Sequence, residues 1–419
     1  MSAIPGPSPP LVEAEPRLDD LLRDGALHCV FQPFIDLDSG AVTAYEALLR
    51  GPAATRWASP LTLLDAARAT GRLAELEQAS LRASLAGAAA SSAGQAVTLF
   101  VNLEPRTLTS HLDVVLDALG NRAEHLQVVV EITERALATD LAGMLSGAER
   151  LREAGCAIAL DDVGAEPESL AFIPLLRPEV VKLDLGLLRT VKDPVTVTVA
   201  GAVRAYAEQS GAEVVAEGIE TPDDLTRALV LGATLGQGWL WGRGERQFPR
   251  SVFAPERFTA RAIGPALRAT PYDLAGSHRQ VRRAPKHLLI PLSKTLEMMA
   301  VEATVPPVLL AAFEHARFFR PSTVQDFTRL AARLPFVAAL GVDMPPSPAP
   351  GVRGAPLSPQ DPLAGEWTVV VLGAHTCGAL VARDLGDGGH DRDREFEFVV
   401  SYDRSLVTAA AHSLVGRLT

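Results

Sequence analysis

From Leu27 to Trp241 the chain alternates short apolar runs with longer segments of helical periodicity. The short runs are nearly continuous in Val, Leu, Ile and Ala, which is typical of strands covered on both faces. They are Val30–Phe34, Val42–Leu48, Thr98–Asn102, Val128–Glu131, Ala157–Asp161, Val180–Asp184, Glu213–Ala216 and Ala233–Leu235. The helical segments between them include Leu73–Ala89, Leu141–Glu153 and Val195–Glu208. This alternation predicts an α/β fold, a (β/α)8 TIM-like barrel, with an open doubly wound sheet as the competing architecture.

One helix of this region has a clear start signal. Thr221 can act as its N-cap, Pro222 fits the first turn, and the acid at Asp224 can complete a capping box. We therefore expect a helix that begins directly after Thr221.

The pattern changes after the last apolar run. Residues 244–285 are rich in proline and arginine and have little periodicity, which indicates a linker. Beyond it the pattern predicts helices, then a Pro/Gly loop, strands and a terminal helix. These are His287–Ala303, Val308–Phe319, Val324–Leu340, the loop Val342–Gly365, the strands Trp367–Leu372, Gly378–Asp384 and Glu395–Tyr402, and the helix Ser405–Leu418. We expect a disordered tail at 1–19, the barrel at 20–247, a linker at 248–285 and a smaller α/β domain at 286–419.

The composition and charge of the chain argue against several classes of protein. The chain has 39 Lys and Arg against 50 Asp and Glu, a net charge of −11, which argues against binding of long nucleic acid. Cys29, Cys156 and Cys377 form no CxxC pair and are interpreted as free thiols in a reducing compartment. The start of the chain has no signal-peptide pattern, and the uncharged stretch from Arg82 to Glu104 is too rich in Ser and Gly for a membrane span. A cytoplasmic protein is expected.

Polar side chains close almost every predicted strand. They are Glu46, Asn102, Glu131, Asp161, Asp162, Lys182, Glu217, Glu220 and Gln237. One acid after a strand is ordinarily a helix cap or a solvated loop residue, but a whole series meets at one rim of a parallel barrel, where active sites lie. Like charges about 4 Å apart repel by about 4 kcal/mol at an effective dielectric of about 20. Divalent cations bound among these acids would remove that repulsion. Because the candidate ligands offer oxygen and include no His or Cys, they predict Mg²⁺ or Mn²⁺.

The neighbouring acids Asp161 and Asp162 raise a geometric question. Adjacent residues of a regular strand point to opposite faces, so both cannot face one site from within it. We expect Asp161 on the strand and Asp162 as the first loop residue.

The ordered motifs YEALLR, FVN, VVEITE, LDDVG, VVKLD, VVAEGIE and GQGWLWGR resemble the EAL domain family of cyclic di-GMP phosphodiesterases, over about residues 20–247. The resemblance implies hydrolysis of one phosphodiester bond of cyclic di-GMP, giving linear pGpG, with two Mg²⁺ or Mn²⁺ ions. It implies metal ligation, in one case through water, by the residues Glu46, Asn102, Glu131, Asp161, Asp162 and Glu220.

The resemblance also implies roles for the remaining site residues. Lys182 matches a lysine that holds the attacking water, and Glu217 matches a general base. The positions that match nucleotide contacts are Gln32, Leu49, Arg50 and Gln237. Glu134 matches the acid that anchors the loop after Asp162.

That loop departs from the family's usual DDFGxGYSSL. It reads DDVGAEPESL here, so that Val163, Glu166, Pro167 and Glu168 replace an aromatic, a Gly, an aromatic and a Ser. Loss of a Gly removes easy access to positive φ, and Pro fixes its own φ. Two functional classes stay open: an active phosphodiesterase, which the full acid set favours, and a non-catalytic cyclic di-GMP receptor, which the altered loop favours.

The C-terminal module, opening with PKHLLIPLSKTLEMMAVEA, resembles the DICT sensory domain. The resemblance implies a regulator that responds to an unidentified signal. A homodimer is expected by analogy with the EAL family only.

Overall fold

A computed structural model describes residues 16–23, 25–134, 137, 140–164, 167–190, 193–249, 255–261, 269–277, 279–386 and 390–418. Its first sheet is a closed barrel in which the eight strands follow one another in chain order. The strands are β1 (His28–Asp36), β2 (Val42–Arg50), β3 (Val97–Asn102), β4 (Leu126–Thr133), β5 (Ala157–Val163), β6 (Val180–Leu183), β7 (Glu213–Ala216) and β8 (Leu235–Gly236). The predicted TIM-like barrel is confirmed, and the open sheet is excluded.

The first strand breaks the regular strand–helix alternation. β1 pairs antiparallel with both β2 and β8, whereas the pairs from β2 to β8 are parallel. Only residues 37–41 join β1 to β2, and so short a connection permits a hairpin but not a parallel crossover. The expectation of an all-parallel barrel is therefore wrong for β1.

Helices surround the barrel. They are α1 (Leu18–Arg23), α2 (Pro60–Ala69), α3 (Leu73–Ser92), α4 (Pro105–Ser110), α5 (Leu112–Gly120), α6 (Leu141–Glu153), α7 (Ile173–Leu176), α8 (Leu185–Arg189), α9 (Pro194–Ser210) and α10 (Pro222–Leu231). The predicted capping box of α10 is confirmed, since Thr221 accepts from the backbone N–H of Asp224 and the Asp224 carboxylate accepts in return. Leu18 and Leu21 of α1 are buried, so ordered structure begins inside the segment expected to be a tail.

An aromatic side chain from the expected linker closes the floor of the barrel. Phe258, in a 3₁₀ turn at Pro255–Phe258, is 3% exposed and packs edge-on against Phe100, with ring centroids 5.3 Å apart. The neighbouring Arg257 forms ion pairs with Asp36 and Glu213. Part of the segment expected to be a linker is therefore part of the barrel, because Phe258 fills the apolar interior.

The second sheet has seven strands in the order β12-β11-β10-β13-β14-β15-β9. They are β9 (Arg282–Pro285), β10 (Val308–His315), β11 (Val337–Val342), β12 (Arg353–Leu357), β13 (Glu366–Leu372), β14 (Cys377–Asp384) and β15 (Glu395–Ser401). Pairing is parallel within β10–β11–β12 and antiparallel elsewhere.

Three predictions for this domain are wrong. The expected helix Val308–Phe319 is β10 and a 3₁₀ turn. The expected helix Val324–Leu340 ends at Ala331, and its last four residues belong to β11. The expected loop Val342–Gly365 contains β12. A continuous apolar run is compatible with a buried strand as well as a buried helix. The strand β9 lies within the expected linker and forms one edge of this sheet.

Helices cover both faces of the second sheet. They are α11 (Pro271–Gly276), α12 (Lys286–Glu302), α13 (Pro321–Ala331) and α14 (Arg404–Val415). One apolar cluster joins α12 and α13 to the sheet, and α14 lies in a cluster that continues into the barrel helices. Phe172 of the barrel domain meets Phe336 edge-on, with ring centroids 6.4 Å apart. Among the described helices none is both long and apolar enough to cross a membrane.

Candidate active site

Lys182 is the centre of the polar rim at the end of the barrel opposite the Phe258 floor. Its side chain is 1% exposed, and its Nζ lies 2.7 Å from Glu131, 2.7 Å from Glu217 and 3.1 Å from Asp161. A fourth carboxylate, Glu46, lies 4.0 Å away. Four acids that are far apart in the chain thus share one ammonium group, because β2, β4, β5 and the residue after β7 all present side chains to the same point.

Two amides hold Glu46 in place. Asn102 donates to Oε1 at 2.9 Å, and Gln237 donates to Oε2 at 2.8 Å. Glu46 and Gln237 are buried, and Gln32 lies directly opposite Glu46 in the β1–β2 register. Gln237, predicted from the resemblance as a nucleotide contact, is in this structure a partner of a predicted metal ligand.

Asp161 and Asp162 both belong to β5, so the prediction that Asp162 starts the loop is wrong. The β5–β6 register shifts between Leu160 and Val163, and Asp162 has a φ of 58°. A bulge with one residue in the left-handed region re-aims a side chain. This bulge is how two adjacent aspartates come to serve one site.

Carboxylate oxygens of Asp161, Asp162 and Glu217 lie within 4.8 Å of one another. Glu220 is not in this group; it is exposed, and its backbone N–H donates to Asp224 at 3.3 Å. Of the two glutamates in the AEGIE motif, the described geometry therefore brings Glu217 and not Glu220 to the aspartate pair.

The cluster carries more negative charge than Lys182 balances. Burial, together with the charge of Glu46, raises the pKa of Glu131 well above its usual range. Burial also raises the pKa of Glu217 to about 8, although Lys182 opposes the shift. Burial disfavours the charge of Lys182, but Glu131 and Glu217 hold its pKa well above its usual range. Lys182 therefore stays charged, and its one positive charge does not balance the negative charges of the carboxylates around it.

Glu134 lies behind the loop that follows the aspartate pair. It is fully buried and accepts hydrogen bonds from the backbone N–H of Gly164, at 3.1 Å, and from the hydroxyl of Ser169. Glu166 of the altered loop lies outside the described residues, and a 3₁₀ turn at Pro167–Phe172 follows. Glu134 thereby ties both sides of the loop to the end of β4.

The other predicted nucleotide contacts lie on the first hairpin. Gln32 in β1 and Leu49 and Arg50 at the end of β2 are half-buried, and Arg50 donates to the backbone carbonyl of Leu49 at 2.8 Å. No carboxylate forms an ion pair with Arg50 among the described residues, which leaves its charge available.

Sequence reasoning missed two residues that support the rim. Phe34 lies beneath Lys182, with Nζ 5.9 Å from the ring centroid. Glu77 of α3 is buried and accepts from the backbone N–H of Glu104, just after Asn102, and burial raises its pKa to about 7. The sequence pattern does not distinguish either residue, because Phe34 is an ordinary apolar residue of a strand and Glu77 is a single acid in a helix.

The family comparison agrees with this architecture. The EAL domain profile matches residues 15–244, and the profile of the DICT domain, described as a sensory domain in diguanylate cyclases and two-component systems, matches residues 272–385. The chain belongs to the EAL domain family and carries a DICT domain after the barrel.

Its relatives include proteins named as phosphodiesterases. It is 30% identical to the cyclic di-GMP phosphodiesterase NbdA of Pseudomonas aeruginosa, over 65% of this chain and 34% of NbdA. It is 28% identical to the cyclic di-GMP phosphodiesterase RocR of the same species, over 54% of this chain and 60% of RocR. It thus spans less than two thirds of either relative. A calcium and cyclic di-GMP complex of Klebsiella pneumoniae BlrP1 is 27% identical and covers 52% of this chain and 57% of BlrP1, with a TM-score of 0.46.

Proposed function

We propose that this protein hydrolyses cyclic di-GMP to linear pGpG with divalent metal ions, under the control of its C-terminal domain. The observation that carries the proposal is the cluster of Glu46, Glu131, Asp161 and Glu217 around Lys182 at one rim of the barrel. Membership of the EAL family and the named activities of NbdA and RocR support it.

The donor set fits divalent ions. Both carboxylate oxygens of Glu131 and Oδ1 of Asp161 are buried, and the ammonium of Lys182 lies 2.7 Å from Oε1 of Glu131 and 3.1 Å from Oδ1 of Asp161. All the candidate ligands offer oxygen, as Mg²⁺ and Mn²⁺ prefer. The residues that would hold two such ions are Glu46, Asn102, Glu131, Asp161, Asp162 and Glu217. When bound, such ions supply Lewis-acid stabilisation of phosphate charge and activation of water.

The protein's own side chains supply position and charge. Asn102 and Gln237 fix both oxygens of Glu46, so that this carboxylate cannot rotate away from the rim. Lys182, charged and buried, stabilises negative charge that develops on the phosphate in the transition state. Glu217 lies 2.7 Å from the ammonium of Lys182 and holds that charge at the rim. Arg50 on the hairpin offers an unpaired charge to a second phosphate.

The direct test is incubation of the purified full chain with cyclic di-GMP and Mn²⁺ or Mg²⁺, followed by chromatography for pGpG. Hydrolysis that requires the metal and is lost on chelation supports the proposal. Absence of pGpG in the presence of both metals and bound nucleotide contradicts it.

A non-catalytic receptor is the second candidate, and the altered loop favours it. Gly164 and Ser169 still contact Glu134, but the family's second Gly is Glu166 here. Calorimetric binding of cyclic di-GMP without turnover would establish the receptor; turnover would exclude it.

A further inference from the structure

A cavity of about 680 Å³ lies between the barrel and the C-terminal domain, away from the candidate active site. On the barrel side its walls are α7 and one face each of α6 and α9. On the other side the wall is Ala374 and one face of α14, whose lining residues recur with helical spacing. Those residues are Arg404, Ser405, Thr408, Ala409 and His412. The volume falls in the range of small-molecule sites, roughly 300–1,000 Å³.

The cavity is bordered by four arginines in a chain whose net charge is −11. Arg152 is neutralised by Glu179 at 3.0 Å, and both side chains of that pair are buried. The other three have no carboxylate within ion-pair distance in the part of the chain that the structure describes. The guanidinium of Arg261 donates to the hydroxyl of Tyr206, and that of Arg404 donates to the carbonyl of Gly373.

Arg177 is the third of these arginines, and its backbone is unusual. It ends α7 with a φ of 53° and a ψ of 49°, a left-handed conformation that favours Gly or Asn. A long cationic side chain stands there instead and borders the cavity. Glu149 is the one carboxylate among the lining residues, so positive charge is in excess.

Apolar side chains form the rest of the wall. They include Leu145, Ile173, Leu175, Leu176, Ala202 and Ala409. The combination of an apolar wall with unpaired guanidinium groups is complementary to a molecule that has an apolar body and an anionic head.

We propose that this cavity binds a small organic anion with an apolar portion, such as a carboxylate, which contacts α7 of the barrel domain and α14 of the DICT domain together. Arg177, Arg261 and Arg404 bind the anionic group, and the aliphatic wall covers the apolar part. This proposal does not depend on the proposed hydrolysis.

The test uses the full chain and the fluorescent probe 8-anilinonaphthalene-1-sulfonate, which pairs an anionic group with an apolar body. We expect saturable binding that the double variant Arg177→Gln/Arg404→Gln weakens by roughly 100-fold, about tenfold for each charge-assisted contact. The neutral analogue N-phenyl-1-naphthylamine, which lacks the sulfonate, should bind both proteins equally. Arg333→Gln, which changes an exposed arginine of the same domain outside the cavity lining, is the matched control and should leave both affinities unchanged.

A second variant locates the probe. Ala409→Trp places an indole in the cavity and should abolish binding of both dyes, while thermal melting shows that the protein is folded. Octanoate should displace the sulfonate probe from the wild-type protein and raise its Tm, since a ligand that binds only the folded state stabilises it. No saturable binding to the wild type, or equal sulfonate affinity in wild type and the double arginine variant, would overturn the proposal.

Discussion

The side-chain amide of Gln237 donates a 2.8 Å hydrogen bond to Oε2 of Glu46, joining the residue after the last barrel strand to the second strand across 191 residues of sequence. Both residues are buried. The partner of a metal-ligating carboxylate fixes its orientation, so in the proposed metal site this contact links metal affinity to closure of the barrel.

Gln237→Leu should weaken metal binding without unfolding the protein. Removal of such an outer partner typically costs about 10–100-fold in metal affinity or activity, and we expect a loss of that size in Mn²⁺ affinity by calorimetry. Gln247→Leu, an exposed glutamine in the same domain, is the control. Unchanged Mn²⁺ affinity in Gln237→Leu would show that Glu46 needs no such support.

Glu46→Ala should abolish hydrolysis while the fold survives. It removes one of the four carboxylates around Lys182 and frees the amides of Asn102 and Gln237. We expect pGpG formation to fall at least about 100-fold, with the circular dichroism spectrum retained. Glu220→Ala, at an exposed position outside the carboxylate group, should keep most of the activity; equal losses in the two variants would contradict the assignment.

Glu134→Gln should slow turnover more than it weakens nucleotide binding. The change is isosteric but weakens two hydrogen bonds, from the backbone N–H of Gly164 and from Ser169. Charge-assisted bonds of this kind contribute about 1.5–3 kcal/mol, so kcat should fall roughly tenfold or more. Ser169→Ala removes the hydroxyl donor alone and should give a smaller decrease. A rise in KM at constant kcat would show that the loop serves binding alone.

Phe258→Ala should destabilise the barrel although the residue lies beyond its last strand. The ring is 3% exposed and packs on Phe100, and truncation of buried Phe typically costs about 3–5 kcal/mol. Urea unfolding measures the change in free energy of unfolding. Leu61→Ala, at a position 69% exposed, is the control and should cost less than about 0.5 kcal/mol. Equal stabilities of the two variants would mean that the floor is dispensable.

His412 should make the protein less stable in mild acid. Burial, with the charges of Arg177 and Arg152, lowers its pKa to about 4, although a hydrogen bond to the backbone of Leu175 opposes this. The unfolded chain takes up the proton near pH 6.5 and the folded chain only near pH 4, so stability decreases as pH falls through this window. The loss should approach about 3 kcal/mol at the bottom of the window.

His412→Gln isolates that contribution. The difference in free energy of unfolding between wild type and variant should change between pH 7 and pH 4.5, in the direction of a relatively weaker wild type at the lower pH. A difference that is independent of pH would show that the imidazole titrates normally in the folded protein.

The rim could be predicted from sequence because each of its strands is almost entirely apolar. Glu46, Glu131 and Lys182 interrupt such runs, and a buried charge in a strand needs partners. The topology of a barrel then brings those partners to one end. The structure places these residues together at that end.

Other features could not be predicted, for physical reasons. The bulge at Asp162 depends on one left-handed residue that is not Gly, and Asp adopts that conformation only where tertiary contacts favour it. The run Val308–His315 is continuously apolar, which fits a buried strand and a buried helix equally well. Phe258 is one of three phenylalanines in the expected linker, which is rich in arginine and proline, and nothing in the local sequence shows that it fills the barrel interior.

The segment that leaves Asp162 reaches the neighbouring domain before it returns to the barrel. It passes the Glu134 anchor, continues through the turn Pro167–Phe172 and becomes α7, which packs against α14. This stretch of backbone therefore begins at an acid of the candidate site and ends at the contact between the two domains. If its position is coupled to occupancy at either end, thermodynamic reciprocity requires that whatever the C-terminal domain does to nucleotide affinity, the nucleotide does in equal measure to the domain's own ligand.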